Sequence, residues 1–304
     1  MVSRGPSSPY NLLYGWPNPL FSGKTTLLNT LVRNPFIFDL LIRVHIMDLH
    51  LFNESIFRRY KSNSQRIRRL SEDWFEEQMY CPACKCDNLE SFQNNTPVAD
   101  FYCPKCMSQF QLKSQSNPFG NRILDGAYSK MIESIHKGDQ PHFFLLHYTL
   151  NDWSVLNLEV IPNYFFSESI IEKRKPLAPT ARRAGWVGCN LLLSRIPEDG
   201  RIQTITDSII HESKEVRTNW LKVSFLKNQK SPSRGWITDI MWCIKDLDKK
   251  EFTLDEIYSY KNHLAKLHPL NKNIKPKIRQ QLQFLRDKKY LKFLGSGEYQ
   301  LKKR

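Results

Sequence analysis

The stretch VADFYCPKCMSQFQLKS, Val98–Ser114, decides the fold. Val98 to Cys103 reads as a strand running into a C-x2-C knuckle, Cys103 and Cys106, and Phe110 to Ser114 reads as the returning strand. The knuckle joins the two runs, so Asp100 and Gln111 are expected side by side on adjacent strands. Lys113 follows on the same apolar run. An Asp, ten residues and an acceptor-x-Lys triplet are thereby folded towards one another.

Reading upstream, Cys81-Pro-Ala-Cys84 supplies a second pair, and the whole spacing is C-x2-C-x18-C-x2-C. Each C-x2-C turn presents two thiolates on one side of a tight knuckle, so Cys81, Cys84, Cys103 and Cys106 make a tetrahedral zinc set. A closed four-thiolate site leaves no position for substrate, and its role is structural. Cys86 is an extra thiol able to substitute for Cys84. Cys189 and Cys243 sit in apolar surroundings and read as core. With four of seven cysteines in such pairs, metal rather than disulfides is expected, and with it a reducing cytoplasm.

Asp100, Gln111 and Lys113 come close to the D…(E/D)-x-K pattern of metal-dependent nucleases. There the two oxygen acceptors hold Mg²⁺ and the Lys stabilises charge or positions the attacking water. The alternative is an ordinary surface Asp and a strand Gln. Gln111 departs from the pattern, which has an acidic residue at that place.

Composition points the same way. The 304 residues carry 45 basic and 30 acidic side chains, a formal net charge of +15, which favours a polyanionic partner, nucleic acid first. Hydrophobic content of 40% fits a globular chain, and no apolar run is long enough to span a membrane, so no membrane partner is expected. Residues 1–46 are unlike the rest. Ser22–Leu28 (SGKTTLL) imitates the end of a phosphate-binding loop, but the position five before Gly23 is Asn18, and Pro17 and Pro19 break any preceding strand. No nucleotide is expected there. Met47 reads as the initiator, with 1–46 as an upstream extension.

Beyond it, Arg66 to Met79 is helical, with Ile67, Leu70, Trp74 and Phe75 at spacings of three and four and a possible split near Ser71. Asp125 to His136 reads as a helix, and His142–Leu150 and Val155–Ile161 as strands, in an α/β sandwich around a small mixed sheet. The loop RKPLAPTARRAGW, 174–186, gathers Arg174, Lys175, Arg182 and Arg183 before Trp186. It suits phosphates met by cations and bases met by an indole, or else a solvated basic loop with a core Trp. Lys227–Arg234 reads as a linker. After it come a helix bearing Trp236, Ile240, Ile244 and Leu247, and a capping box at Thr253 opening a helix to Leu267. A third helix follows, capped by Asn273 and burying Ile274, Ile278, Leu282 and Leu285, and then two strands around Gly295–Gly297. This is a winged helix, a module for DNA or for protein. On DNA, the exposed face with Arg279, Gln280 and Gln283 would enter the major groove.

From Met47 onward the chain resembles the DpnI, or Dam-replacing, family of restriction endonucleases. YKSNSQ (60–65), EDW (72–74), YCPAC (80–84), NNTPVADFYC (94–103), QLKS (111–114), DGAY (125–128), RKPLAPTARRAGWVGCN (174–190), SRGW (233–236) and KIRQQLQFLRDK (277–288) carry the resemblance. The resemblance implies an α/β PD-(D/E)xK nuclease domain with an embedded four-cysteine zinc site over 47–226 and a winged-helix DNA-binding domain over 227–304. It also implies cleavage of duplex GATC whose adenine carries an N6-methyl group, read by both domains, in the cytoplasm of a bacterium and by a monomer. Asp100 and Lys113 fall on the family's catalytic Asp and Lys, Cys81, Cys84, Cys103 and Cys106 on its zinc ligands, and Trp186 on its methyladenine-sensing aromatic. Gln111 stands where the family has Glu. Three outcomes are open: weaker use of Mg²⁺, a preference for Mn²⁺, or a methylated-DNA reader that does not cut. A zinc-ribbon transcription factor is a third class, in which Lys113 has no role.

Overall fold

A computed structural model describes residues 47–92 and 99–302. The expected start of the first strand at Val98, and the readings for residues 1–46, lie outside the described residues. From Asp48 the chain forms one compact unit. It opens with helix α1 (Glu54–Arg59) and helix α2 (Asn63–Gln78). The α2 helix is continuous; the expected split near Ser71 is absent because the Ser71 hydroxyl donates back to the Ile67 carbonyl at 2.8 Å and meets the Ser114 hydroxyl at 3.1 Å. Its buried face is Leu70, Ser71, Trp74 and Phe75, with Phe75 packed on Phe101 and Phe144 at ring distances of 4.6 and 4.8 Å.

That face lies on a seven-stranded mixed sheet. Its strands, in spatial order, are β1 (Glu90–Ser91), β2 (Phe101–Tyr102), β3 (Gln109–Gln115), β5 (His142–Tyr148), β6 (Val155–Ile161), β9 (Ile202–Thr206) and β10 (Ile209–Ile210). Only β3 and β5 run parallel, and the crossover between them carries helix α3 (Tyr128–Lys137). Every residue of β5 is buried, as expected of a central strand covered on both faces. Strands β4 (Arg122–Ala127), β7 (Ile171–Lys173) and β8 (Gly188–Leu192) form a second, antiparallel sheet in the order β4-β8-β7. Here the sequence expectation is corrected: Asp125 lies in β4, and α3 begins at Tyr128. Gly126 makes a helix start at Asp125 unfavourable.

Helix α4 (Ser213–Val223) closes the first part, and Ser231 opens helix α5 (Ser231–Asp246). The expected linker is therefore shorter than Lys227–Arg234. Pro232 sits in the first turn, where its missing N–H costs nothing, and Arg234 is buried. Strand β11 (Glu251–Thr253) follows, and then the expected second helix, which is broken into α6 (Leu254–Tyr258) and α7 (Lys261–Leu267) at Ser259–Tyr260. The Thr253/Glu256 capping box is present and contributes about 1 kcal/mol. Helix α8 (Ile274–Asp287) buries Ile274, Ile278, Leu282 and Leu285; Asn273 occupies its N-cap without a side-chain bond. Strands β12 (Leu291–Gly295) and β13 (Glu298–Leu301) pair with β11 in the order β11-β13-β12, a three-stranded wing.

The turn between β2 and β3 is built from thiols. Cys81, Cys84, Cys103 and Cys106 place their sulfurs within 4.8 Å of one another, with the Cys81–Cys106 and Cys84–Cys103 pairs at 3.6 Å. Zn–S bonds of about 2.3 Å at tetrahedral angles put sulfurs about 3.8 Å apart, so the set fits zinc. Without a cation, burial pushes the Cys81 and Cys103 thiols above their ordinary range and so disfavours those two thiolates. Cys86 stands outside the set, its thiol against Asn88. Arg217 of α4 clamps the first knuckle, reaching the Cys81 carbonyl at 3.2 Å and the Cys86 carbonyl at 2.9 Å.

Two measurements follow from this architecture. Elemental analysis should find one zinc per chain, lost in Cys103→Ser together with a large drop in Tm, and kept in Cys86→Ser. The second concerns His142 on β5, whose Nδ1 accepts the Asn163 N–H at 2.8 Å. Burial, with Lys227 adding, holds its imidazole down to about 3. The unfolded chain takes up this proton below about pH 6.5 and the folded chain does not, so stability falls as pH drops from about 6.5 towards 3. The loss from this group is about 2 kcal/mol at pH 5. In denaturant titrations at pH 7 and pH 5, His142→Asn, which keeps an acceptor but takes no proton, should lose less stability than wild type.

Candidate active site

Strands β2 and β3 pair antiparallel with Phe101 opposite Phe110 and Tyr102 opposite Gln109. Asp100 directly precedes β2, outside the paired residues, and its N–H donates to the Phe110 carbonyl at 2.9 Å, one residue before Gln111. The carboxylate turns back onto the same strand, where Oδ2 accepts the Leu112 N–H at 2.9 Å. One oxygen is thus engaged by β3 itself, and the acidic group is anchored beside the Gln111–Lys113 triplet.

The charge around Asp100 is mixed. Burial pushes its carboxyl above the usual carboxylate range and Glu72 of α2 adds to the rise; the Leu112 N–H, Arg68 and Lys113 pull it down. Asp100 and Glu72 line a cleft of about 560 Å³ together with Arg59, Tyr60, Arg68 and Arg69. Glu72 is held there by Arg68 Nε at 2.7 Å and Arg69 at 3.1 Å. Two carboxylates and several guanidinium groups in one cleft provide hard oxygen donors for a cation and donors for a phosphate.

Gln111 and Lys113, two residues apart on β3, share a strand face. That face meets the second sheet. Lys113 Nζ bonds to Asp125 Oδ1 at 2.8 Å and stands 5.4 Å above the Phe143 ring. Sequence reasoning missed Asp125, because its segment read as helix. The signal available was Gly126 directly after it. Glu72 was also missed as a neighbour of Asp100, since helical periodicity gives its face but not what the face meets.

Asp125 pairs with Cys189 in the β4–β8 ladder, and the next residue along β8 is Gly188. The Trp186 indole packs close against Gly188: a Cβ there would come within 2.8 Å of two ring atoms, so glycine is required for the approach. Through this packing the basic loop joins the Lys113 face by way of a single strand. The loop is closed by hydrogen bonds from the Leu177 N–H to the Trp186 carbonyl and from the Gly185 N–H to the Leu177 carbonyl, at 2.9 and 3.0 Å. Arg183 lies 4.7 Å above the indole. Arg174 approaches Gly188 as well, while Lys175, Arg182 and Arg183 are exposed. Arg279, Gln280 and Gln283 are exposed on α8, on a separate surface of the chain's winged domain.

The winged domain is docked by specific bonds. Trp242 Nε1 donates to the Ser194 carbonyl at 2.9 Å, the Ser169 hydroxyl to Asp239 at 2.7 Å, and the Tyr290 hydroxyl to Asp199 at 2.6 Å. Asp239 also meets His268 at 2.8 Å, and His268 stacks on Trp236.

Among the described residues no helix is long and apolar enough to cross a membrane. Comparison with known families matches residues 47–229 to the Dam-replacing family (DpnI) and residues 232–301 to the Dam-replacing HTH domain. The first match alone covers more than half of the chain, and DNA is the partner that both imply. The chain therefore belongs to the DpnI, Dam-replacing family, a family of restriction nucleases, with a mixed α/β nuclease domain followed by a C-terminal HTH domain.

Proposed function

We propose that the protein is a methylation-dependent endonuclease that hydrolyses duplex DNA at GATC sites carrying N6-methyladenine, acting as a monomer in the bacterial cytoplasm. The observation that supports the reading is Asp100, which lines a cleft with Arg59, Arg68 and Arg69 and accepts the Leu112 N–H, the backbone group between Gln111 and Lys113. Asp100 and Gln111 would hold Mg²⁺, or Mn²⁺, which accepts a less charged donor set. Such a cation supplies charge neutralisation and an activated water when bound. The residues fit a hard, oxygen-preferring ion. Burial and Glu72 both disfavour an ionised Asp100, and a divalent cation in the cleft offsets both.

The protein's own groups perform the rest. Arg68 and Arg69 supply donors to phosphate oxygens in the cleft. Lys113 brings a fixed positive charge to the phosphate undergoing attack. Trp186 offers an apolar face for a methyl group in the major groove. Burying one methyl contributes on the order of 1 kcal/mol, about tenfold in affinity. Arg183 covers the indole in this state, and a phosphate competes for that guanidinium. Arg279, Gln280 and Gln283 on α8 provide a second reading surface.

Gln111 favours a second reading, a zinc-containing winged-helix reader of methylated DNA that does not cut. Replacing Glu by Gln removes one negative charge from the cation's donor set.

Plasmid digestion with Mg²⁺ and with Mn²⁺, on N6-adenine-methylated and unmethylated copies of one DNA, separates the two. The endonuclease cuts only the methylated copy, and Lys113→Ala abolishes cutting. No cutting in either metal, with gel-shift binding to the methylated copy and cutting restored by Gln111→Glu, establishes the reader. In either case Trp186→Ala should reduce the preference for methylated over unmethylated DNA by about tenfold for each methyl group the indole covers.

A further inference from the structure

We propose that Asp125 is a positioning residue for Lys113, holding its ammonium aimed into the site before DNA arrives. The inference rests on the nuclease reading of Lys113. Lysine is a poor choice for a placed charge, because four rotatable carbons separate it from the backbone. Here two interactions fix it. Asp125 Oδ1 takes one ammonium proton at 2.8 Å, and the Phe143 ring lies 5.4 Å beneath Nζ. The pair is not a loose surface bridge: the Asp125 side chain is 8% exposed and that of Lys113 24%. An enclosed carboxylate of this kind is costly to leave without a partner.

The backbone explains how Asp125 reaches across. The β4–β8 ladder shifts register between Asp125 and Ala127, a bulge at Gly126. Bulges re-aim the side chains beside them. The Gly126 carbonyl accepts the Cys189 thiol at 3.5 Å, which ties the bulge to β8. The lysine sits on one sheet and its anchor on the other. Lys113 is thereby aimed by the same ladder that carries Gly188 and the Trp186 indole. Pre-aiming matters for rate, since a misplacement of about 1 Å can cost about a hundredfold.

The opposing possibility is that Asp125 competes with the phosphate and restrains the reaction. Substitution separates the two. For Asp125→Asn, kcat on methylated DNA should fall roughly 10- to 100-fold with KM unchanged, and Asp125→Glu should recover part of the loss. Tm and zinc content establish that the variants fold. A kcat equal to or above wild type, or a loss confined to KM, overturns the proposal. A second readout needs no cutting: acylation of Lys113 by acetic anhydride, followed by mass spectrometry, relative to exposed lysines of the same chain. Lys113 should react slowly in the wild type and severalfold faster in Asp125→Asn. If the wild type does not cut, the nuclease reading fails, and the labelling alone decides the pair; an unchanged rate there sinks the proposal.

Discussion

The convergence of four thiols on one point is the constraint from which the nuclease domain's geometry follows. Cys103 and Cys106 form the turn between β2 and β3, strands too short on the β2 side to specify their own pairing. Two residues of ladder cannot define a register against slippage; a metal-bound turn can, because the ligands' spacing is fixed by bond lengths. A slip of one residue would turn Gln111 and Lys113 to the opposite face and separate Asp100 from the Leu112 N–H. The zinc site makes no contact with substrate in this scheme, yet it sets the alignment on which the charged groups depend. Arg217, reaching from α4 to the first knuckle, extends that control to the far edge of the sheet.

How much of this was legible in the sequence depended on how strongly each segment's period spoke. The α2 helix, with Leu70, Trp74 and Phe75 recurring at helical spacing, and β5, apolar throughout, were plain. The thiol spacing named its chemistry outright. Strand β4 was not legible. It is the edge strand of a small sheet, and its Leu124 is 66% exposed, so burial alternates against the pattern of hydrophobicity. The helical period of Ala127, Met131, Ile132 and Ile135 was extended back to Asp125, which belongs to β4. The segment before α5 was misread for a related reason. A helix's first turn is made of serine, proline and lysine for the same physical causes as a linker, and what separates them is whether Arg234 ends up buried.

The lysine–carboxylate pair shows what kind of site information a sequence withholds. Asp100, Gln111 and Lys113 were found because they are close along the chain once one turn is allowed. Asp125 is only twelve residues from Lys113, but it approaches from another sheet. Glu72 is far in sequence and reaches the cleft from a helix packed on the sheet. Both are set by layer packing, which leaves no local spacing to read. The electrostatics of the site belong to these two residues as much as to the motif. Glu72 raises Asp100, and Asp125 partners Lys113.

The same layering bears on how methylation would be read in the proposed reaction. The energy available from one methyl group is small, about 1 kcal/mol, and a single methyl discriminates only about tenfold. Greater selectivity requires repeated reading, and repetition multiplies only if the reading surfaces keep a fixed relation to each other. The bonds from Trp242 to Ser194, Ser169 to Asp239 and Tyr290 to Asp199 hold α5 and the wing against the nuclease part, and Asp239 draws His268 into the same junction. Alongside the ring contacts of Phe225 with Phe284 and Tyr290, these directional polar bonds specify orientation more than they add affinity. In the proposed reaction, Trp186 near the Lys113 face and α8 in the winged domain gain selectivity from that fixed orientation, each buried methyl adding its small increment to the other's.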